Sequence, residues 1–183
     1  IGLSTGASIL VAQLYGAGQL EDMRKSVSTA LILLTGIGIV MTVAGVLAAR
    51  PLLQYALGVP AEVLDMATSY LAIYAMGLIF QFIYNIVAAI LRALGDSKAT
   101  LYFLLVSSLV NIALDLLFVA TFHWSVAGAA IATVISQACS AIVSVLYMFK
   151  KYEMLRLKKG EFTFSREFCI TTLKLGIPVA MQQ

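Results

Sequence analysis

Long uncharged runs separated by short charged turns set the layout of this chain. Ser26 to Ala49, Ala67 to Leu91, Thr100 to Phe122 and Val126 to Phe149 each exceed twenty residues, and Asp115 is the only charged side chain inside any of them. A hydrocarbon core takes about 20 helical residues to cross, so the pattern predicts membrane spans over 26–49, 67–91, 100–122 and 126–149. Residues 1–15 read as the last part of a further membrane helix. The stretch 169–183 reads as the start of another, and 150–168 as the one hydrophilic linker.

The breaks between runs carry turn chemistry. Glu21 and Asp22 suit the start of a helix, where acidic side chains meet the positive end of the dipole. Arg50-Pro51 is expected to end its span, with a short interfacial helix following as far as Gly58 and Pro60. Glu62 and Asp65 then open the next helix, and Gly95 is a plausible C-cap between Arg92 and Lys98. In the linker, Leu155, Leu157, Phe162 and Phe164 suggest a segment lying along the membrane surface.

Within the runs, small residues recur every four positions: Ser4, Ser8, Ala12 and Gly16 in one, and Gly128, Ala132, Ser136, Ser140 and Ser144 in another. Such ladders let helices approach closely in lipid. The second should face a close neighbour, most simply the helix before it. Amides also fall inside runs. Gln13 reads as an interhelical hydrogen-bonding residue, while Gln81 and Asn85 share one helical face and need partners or a wet cavity.

Composition agrees with the pattern: 61% of residues are hydrophobic and 11% charged, and the mean hydropathy is +0.98. Globular domains carry about 25% charged residues, so this is an integral membrane protein. The net charge of +3 comes from Lys150 to Glu167, which leaves no basic surface for nucleic acid. Cys139 and Cys169 have no CxxC or His spacing, so neither a disulfide, a metal site nor a cofactor is indicated. No Ser/His/Asp set or glycine-rich phosphate cradle suggests an enzyme. His123 reads as a solvated turn residue. The first, third and fifth loops, with Lys174 just inside the next helix, hold 11 basic residues, whereas the second and fourth hold only Arg50. The positive-inside rule puts the first set in the cytoplasm, and the multi-pass chain in the cytoplasmic membrane. Because the chain opens and closes inside apolar stretches, it reads as a piece of a longer protein.

Asp115 is the group that asks for chemistry. It lies about seven residues, or about 10 Å, from the external end of its helix, and a central aspartate costs about 2.5–3.5 kcal/mol to insert. No Lys or Arg occupies a complete span. The remaining options are a protonated carboxyl, a bound cation, a hydrogen-bonded anion, or a base from elsewhere in a longer protein. Desolvation favours the protonated form and a cation favours the carboxylate, so the two compete for one group. Asn111 sits four residues earlier on the same face, and Thr133 and Gln137 on the next helix supply further oxygens.

Several of these segments resemble one family. Ile1-Gly-Leu-Ser-Thr-Gly-Ala-Ser8 with Gln13 and Gly16-Ala17, the turn Leu91-Arg-Ala-Leu-Gly-Asp-Ser-Lys98, Asn111-Ile-Ala-Leu-Asp115 and Gly128-Ala-Ala-Ile-Ala-Thr133 are similar, in order and spacing, to the multidrug and toxic compound extrusion (MATE) family. The resemblance implies an all-α polytopic helical bundle: the N-terminal lobe of a two-lobe, 6+6 transporter, running from the second helix to the start of the seventh. It further implies that Asp115, Asn111 and Thr133 form a cation-binding site, with Gln81, Asn85 and Gln137 as possible cavity-lining groups. The expected activity is secondary-active antiport, in which H+ or Na+ exchange drives export of small organic, often cationic compounds. The expected partners are that substrate, the bilayer and the second lobe. A lipid-linked oligosaccharide flippase of the same superfamily and a non-transport membrane scaffold are the alternatives.

Overall fold

The computed structural model describes residues 2–156 and 163–182. These form seven α-helices: α1 (Gly2–Gly16), α2 (Leu20–Pro51), α3 (Ala61–Met76), α4 (Leu78–Ala93), α5 (Ser97–Asp115), α6 (Ser125–Lys151) and α7 (Arg166–Gln182). Wider π turns at Leu52–Ala56 and Leu116–Thr121 prolong α2 and α5, and a single 3-10 turn, Glu153–Leu155, follows α6. Among the described residues, Leu20–Ala56, Ala61–Ala93, Ser97–Thr121 and Val126–Lys151 are long and apolar enough to cross a membrane. Their outward side chains are correspondingly apolar, with Leu47, Leu109 and Leu146 each more than 60% exposed. Such a surface suits lipid and would be a liability in water.

At the middle of the bundle, α6 packs against α3, α4 and α5. Its ladder of small residues is the buried face: Gly128, Ala132, Ser136, Ser140 and Ser144 all lie inside. The preceding helix α5 is its most extensive partner, as expected, and α3 and α4 pack against it as well. Ser107 on α5 donates to the Ser136 carbonyl at 3.1 Å. Near the start of α2, Met23, Val27 and Leu34 meet Ile86 and Ile90 of α4, Met148 of α6 and Leu155 in one apolar cluster. Leu155 is thus fully buried, not laid along the membrane surface, whereas Phe164 is exposed. Leu157 and Phe162, and the middle of the 150–168 linker, fall outside the described residues. Beyond them the chain is tied back to α2, where the Ser165 amide donates to Thr29 Oγ1 at 3.0 Å and the Ser28 hydroxyl to the Thr163 carbonyl at 3.2 Å.

Several helix limits differ from the sequence pattern. Pro51 is the last residue of α2, as the sequence predicts, but the chain runs on without a break into the π turn at Leu52–Ala56. There is no separate interfacial helix. The run 67–91 is divided at Gly77 into α3 and α4. In α1 Ser4 is the one fully buried member of the predicted ladder, and the closest contact falls on glycines outside it. Ala12 and Gly16 are exposed, as is Gln13, which makes no buried interhelical bond there. Gly2 and Gly6 are buried instead, against Ala180, Gly176 and Thr172 of the antiparallel α7.

The turn between α4 and α5 holds a compact polar knot. Gly95 has φ +85°, a left-handed conformation that lets the chain reverse. Asp96 follows and caps α5, its Oδ1 accepting from the Ala99 amide at 3.3 Å. Its Oδ2 accepts from Lys151 Nζ at 2.8 Å, Tyr147 Oη at 3.0 Å and Tyr152 Oη at 3.1 Å. Desolvation pushes the Asp96 carboxyl up, yet the bonds from Lys151, Tyr147, the Ala99 amide and Tyr152 together hold it below the usual range. A depressed folded-state value means the stabilisation is present above the unfolded value, about pH 3.9, and is lost as pH falls through the folded one. Asp96→Asn should therefore lower stability by about 1–3 kcal/mol at neutral pH. The difference from wild type should shrink below about pH 4, as thermal unfolding of the full-length protein across pH would show.

Candidate functional site: a polar column inside the bundle

Asp115 is the last α-helical residue of α5 before the π turn begins at Leu116. In that turn the Phe122 amide reaches back to the Leu117 carbonyl at 3.0 Å, and π turns recur at functional positions in helices. The external turn is capped by stacked rings, with Phe118 to Trp124 at 5.2 Å and Phe122 to Trp124 at 5.7 Å between centroids. His123 is exposed there and takes φ +55°, a left-handed conformation that His enters more readily than most residues. These features fix the end of α5 against the start of α6.

The Asp115 side chain is half-buried, and its Oδ1 is buried with no hydrogen-bond donor among the described residues. One turn deeper, Asn111 Nδ2 donates to Thr133 Oγ1 at 3.5 Å, a long bond that leaves Thr133 donating to the Ala129 carbonyl at 2.9 Å. Asn111 and Thr133 are thus brought together across the α5–α6 contact, with Asp115 one turn beyond them on the face of Asn111. No Lys or Arg lies between Lys98 and Lys150 in the sequence of α5 and α6 to compensate the carboxylate. Thr133→Ala removes one long, neutral contact and should lower stability by only about 0.5–1.5 kcal/mol, which thermal unfolding of the full-length variant checks.

Gln137 belongs to a second group. It lines a cavity of about 80 Å³ with Gln81 and Tyr84 of α4, Leu104 and Ser107 of α5, and Ser140 of α6. Asn85, one turn beyond Gln81, is half-buried and is not among the lining residues, although it shares a helical face with Gln81. The amide pair Gln81 and Asn85 is therefore split, and Gln81, exposed on its outer side, shares the cavity lining with Gln137. Sequence spacing could not show this, because the pairing joins α4 to α6 across more than fifty residues. Tyr84 and Ser107 were missed for the same reason. Among the described residues no group of His, Cys, Asp or Glu is arranged to hold a metal ion.

Known proteins match this architecture closely. The MatE family model matches residues 1–117. The probable multidrug resistance protein YpnP of Bacillus subtilis (strain 168) is 32% identical over 186 residues, covering 100% of this chain and 40% of the relative. An inward-facing multidrug resistance MATE family transporter of the MOP superfamily superposes with TM-score 0.90 at 27% identity, over 98% of this chain and 41% of that one. A MATE in the bent conformation gives TM-score 0.91 at 27% identity, over 100% of this chain and 41% of that one. The chain spans about 40% of the length of the relatives it matches, the share expected of one lobe. An all-helical, multi-pass bundle whose sequence and superposition both lead to the same transporters belongs to the MatE family.

Proposed function

We propose that the full-length protein is a cation-coupled exporter of small organic, often cationic compounds, and that Asp115 is the group that exchanges H+ or Na+ during alternating access. One observation carries the reading: Asp115, the only carboxylate inside the long uncharged runs, has a buried oxygen with no hydrogen-bond donor among the described residues. An oxygen in that position is stabilised by a proton or a cation, and either ligand would compete with the other. Asn111 and Thr133 then serve as neutral oxygen ligands or as hydrogen-bond partners that orient the carboxyl. On this reading 150–168 joins the lobe to a second lobe, α7 opens that lobe, and the positive-inside orientation puts the assembly in the cytoplasmic membrane. The relatives' names support multidrug export as the class of work.

Reconstitution of the full-length protein into vesicles tests the reading. An imposed H+ or Na+ gradient should drive efflux of a cationic dye such as ethidium, and collapsing the gradient should stop it. Dye movement that ignores every cation gradient, or no movement across a broad panel of organic cations, would sink the proposal.

A further inference from the structure

We infer that the cavity among Gln81, Tyr84, Ser107, Gln137 and Ser140 is a hydrated station that holds a small water cluster and passes the coupling cation between Asp115 and the cytoplasmic side. The passage rests on the reading of Asp115 above; the hydration does not.

The cavity has room and partners for water. Its volume of about 80 Å³ corresponds to about two or three waters at about 30 Å³ each. Five of its six lining residues are polar, and cavities that stay dry are apolar. Gln137 Oε1 is buried against Gly77 with no hydrogen-bond donor among the described residues, and a small rotation of the amide would bring it to the water. Two hydroxyls are already oriented with lone pairs to spare: Ser107 donates to the Ser136 carbonyl at 3.1 Å, and Tyr84 donates to the Thr100 carbonyl at 3.3 Å. Both can accept from water.

Its place in the helices gives the cavity a purpose. Ser107, Asn111 and Asp115 follow at four-residue intervals on α5, as Thr133 and Gln137 do on α6. The cavity thus begins one turn to the cytoplasmic side of the Asn111–Thr133 pair, and Ser107 lies about 12 Å along the axis from Asp115. On its far side, Tyr84 leads to the first turn of α5, next to the capped Asp96. Neutral oxygens and amides line this route with no fixed charge, so a hydrated cation is tolerated without being trapped. A proton crosses by hopping: each hop breaks one O–H bond on a hydronium and forms one on the next water, with no redox partner.

Gly77 keeps the station open. A methyl group built there would lie 2.5 Å from Gln137 Oε1, so Gly77→Ala should push the amide into the water space. The tip of a flexible side chain yields easily, so the fold should survive this change.

The test uses the full-length protein. Pulsed hydroxyl-radical labelling should mark Tyr84 in wild type well above the buried Ile86. The pair Gln81→Leu with Gln137→Leu should lose that mark and slow gradient-driven dye efflux. Gly77→Ala should shift both readouts in the same direction, and Gln137→Ser, which keeps polarity and leaves room for water, should restore them. An unlabelled Tyr84 in wild type overturns the hydration. A labelled Tyr84 with full efflux by the double variant overturns the passage. If wild type shows no cation-driven efflux, the passage falls together with the reading of Asp115, and the label on Tyr84 decides the hydration by itself.

Discussion

Asp115→Asn should reduce H+- or Na+-driven efflux by the full-length protein to the level of protein-free vesicles, without lowering its yield or thermal stability. The two halves of this expectation have one cause. Asn is nearly isosteric with Asp but cannot take up a proton or neutralise a cation, so the exchange on which coupling depends disappears. It also carries no charge. The insertion penalty of about 2.5–3.5 kcal/mol for a central aspartate is relieved rather than increased, and the orphaned Oδ1 becomes an amide group that is cheaper to bury. A loss of efflux accompanied by loss of folded protein would point to a structural carboxyl. Undiminished efflux with normal folding would remove Asp115 from the coupling role. Measuring efflux beside the unfolding midpoint separates these outcomes.

Gly6→Val should strongly destabilise the bundle. A Cβ at Gly6 would stand 2.5 Å from Gly176 N, 2.6 Å from Gly176 Cα and 2.7 Å from the Thr172 carbonyl oxygen. All three are backbone atoms, which cannot rotate aside as a side-chain tip can. The crossing of α1 and α7 must therefore open, and overpacking of this kind costs about 1–3 kcal/mol or more. Close backbone approach drives helix association in lipid, where no hydrophobic term favours one apolar surface over another. Gly36→Ala is the matched control. Nothing lies within 4 Å of a Cβ at Gly36, and replacing a mid-helix glycine by alanine gains about 0.8–1.0 kcal/mol of helix propensity. Thermal unfolding of the full-length variants should move in opposite directions. A Gly6→Val protein as stable as wild type would show that the α1–α7 crossing is not the tight contact described.

The α5 helix shows how a site can be half legible. Asn111 and Asp115 share a face because four residues make about one turn, which is a local property of the backbone. Sequence spacing therefore finds them, along with Thr133 on the next helix, since a very short connection forces α5 and α6 to be neighbours. Gln81 and Gln137 follow a different logic. Their meeting depends on α4 lying against α6, and on Gly77 making room for the Gln137 amide. Nothing in the spacing of either helix encodes that. The α1 ladder failed in part for a related reason. Four-residue spacing predicts that some small-residue face packs, but Ser8, Ala12 and Gly16 compete with Gly2 and Gly6, and only the partner helix decides between them.

What the sequence by itself determined is what hydrophobicity and length control: a membrane-spanning all-helical bundle, the location of its polar turns, and one carboxylate too deep in lipid to be there without a reason. These follow because the bilayer demands that each crossing satisfy its own backbone within about 20 apolar residues, a constraint written locally in the chain. Tertiary structure alone decided which small residues touch, that Gly77 divides one run into two helices, that Leu155 enters the core, and that Gln137 lines a cavity with Gln81. Those outcomes depend on the approach of helices distant in sequence. There, van der Waals fit and unmet hydrogen bonds choose among arrangements that the apolar pattern leaves equal.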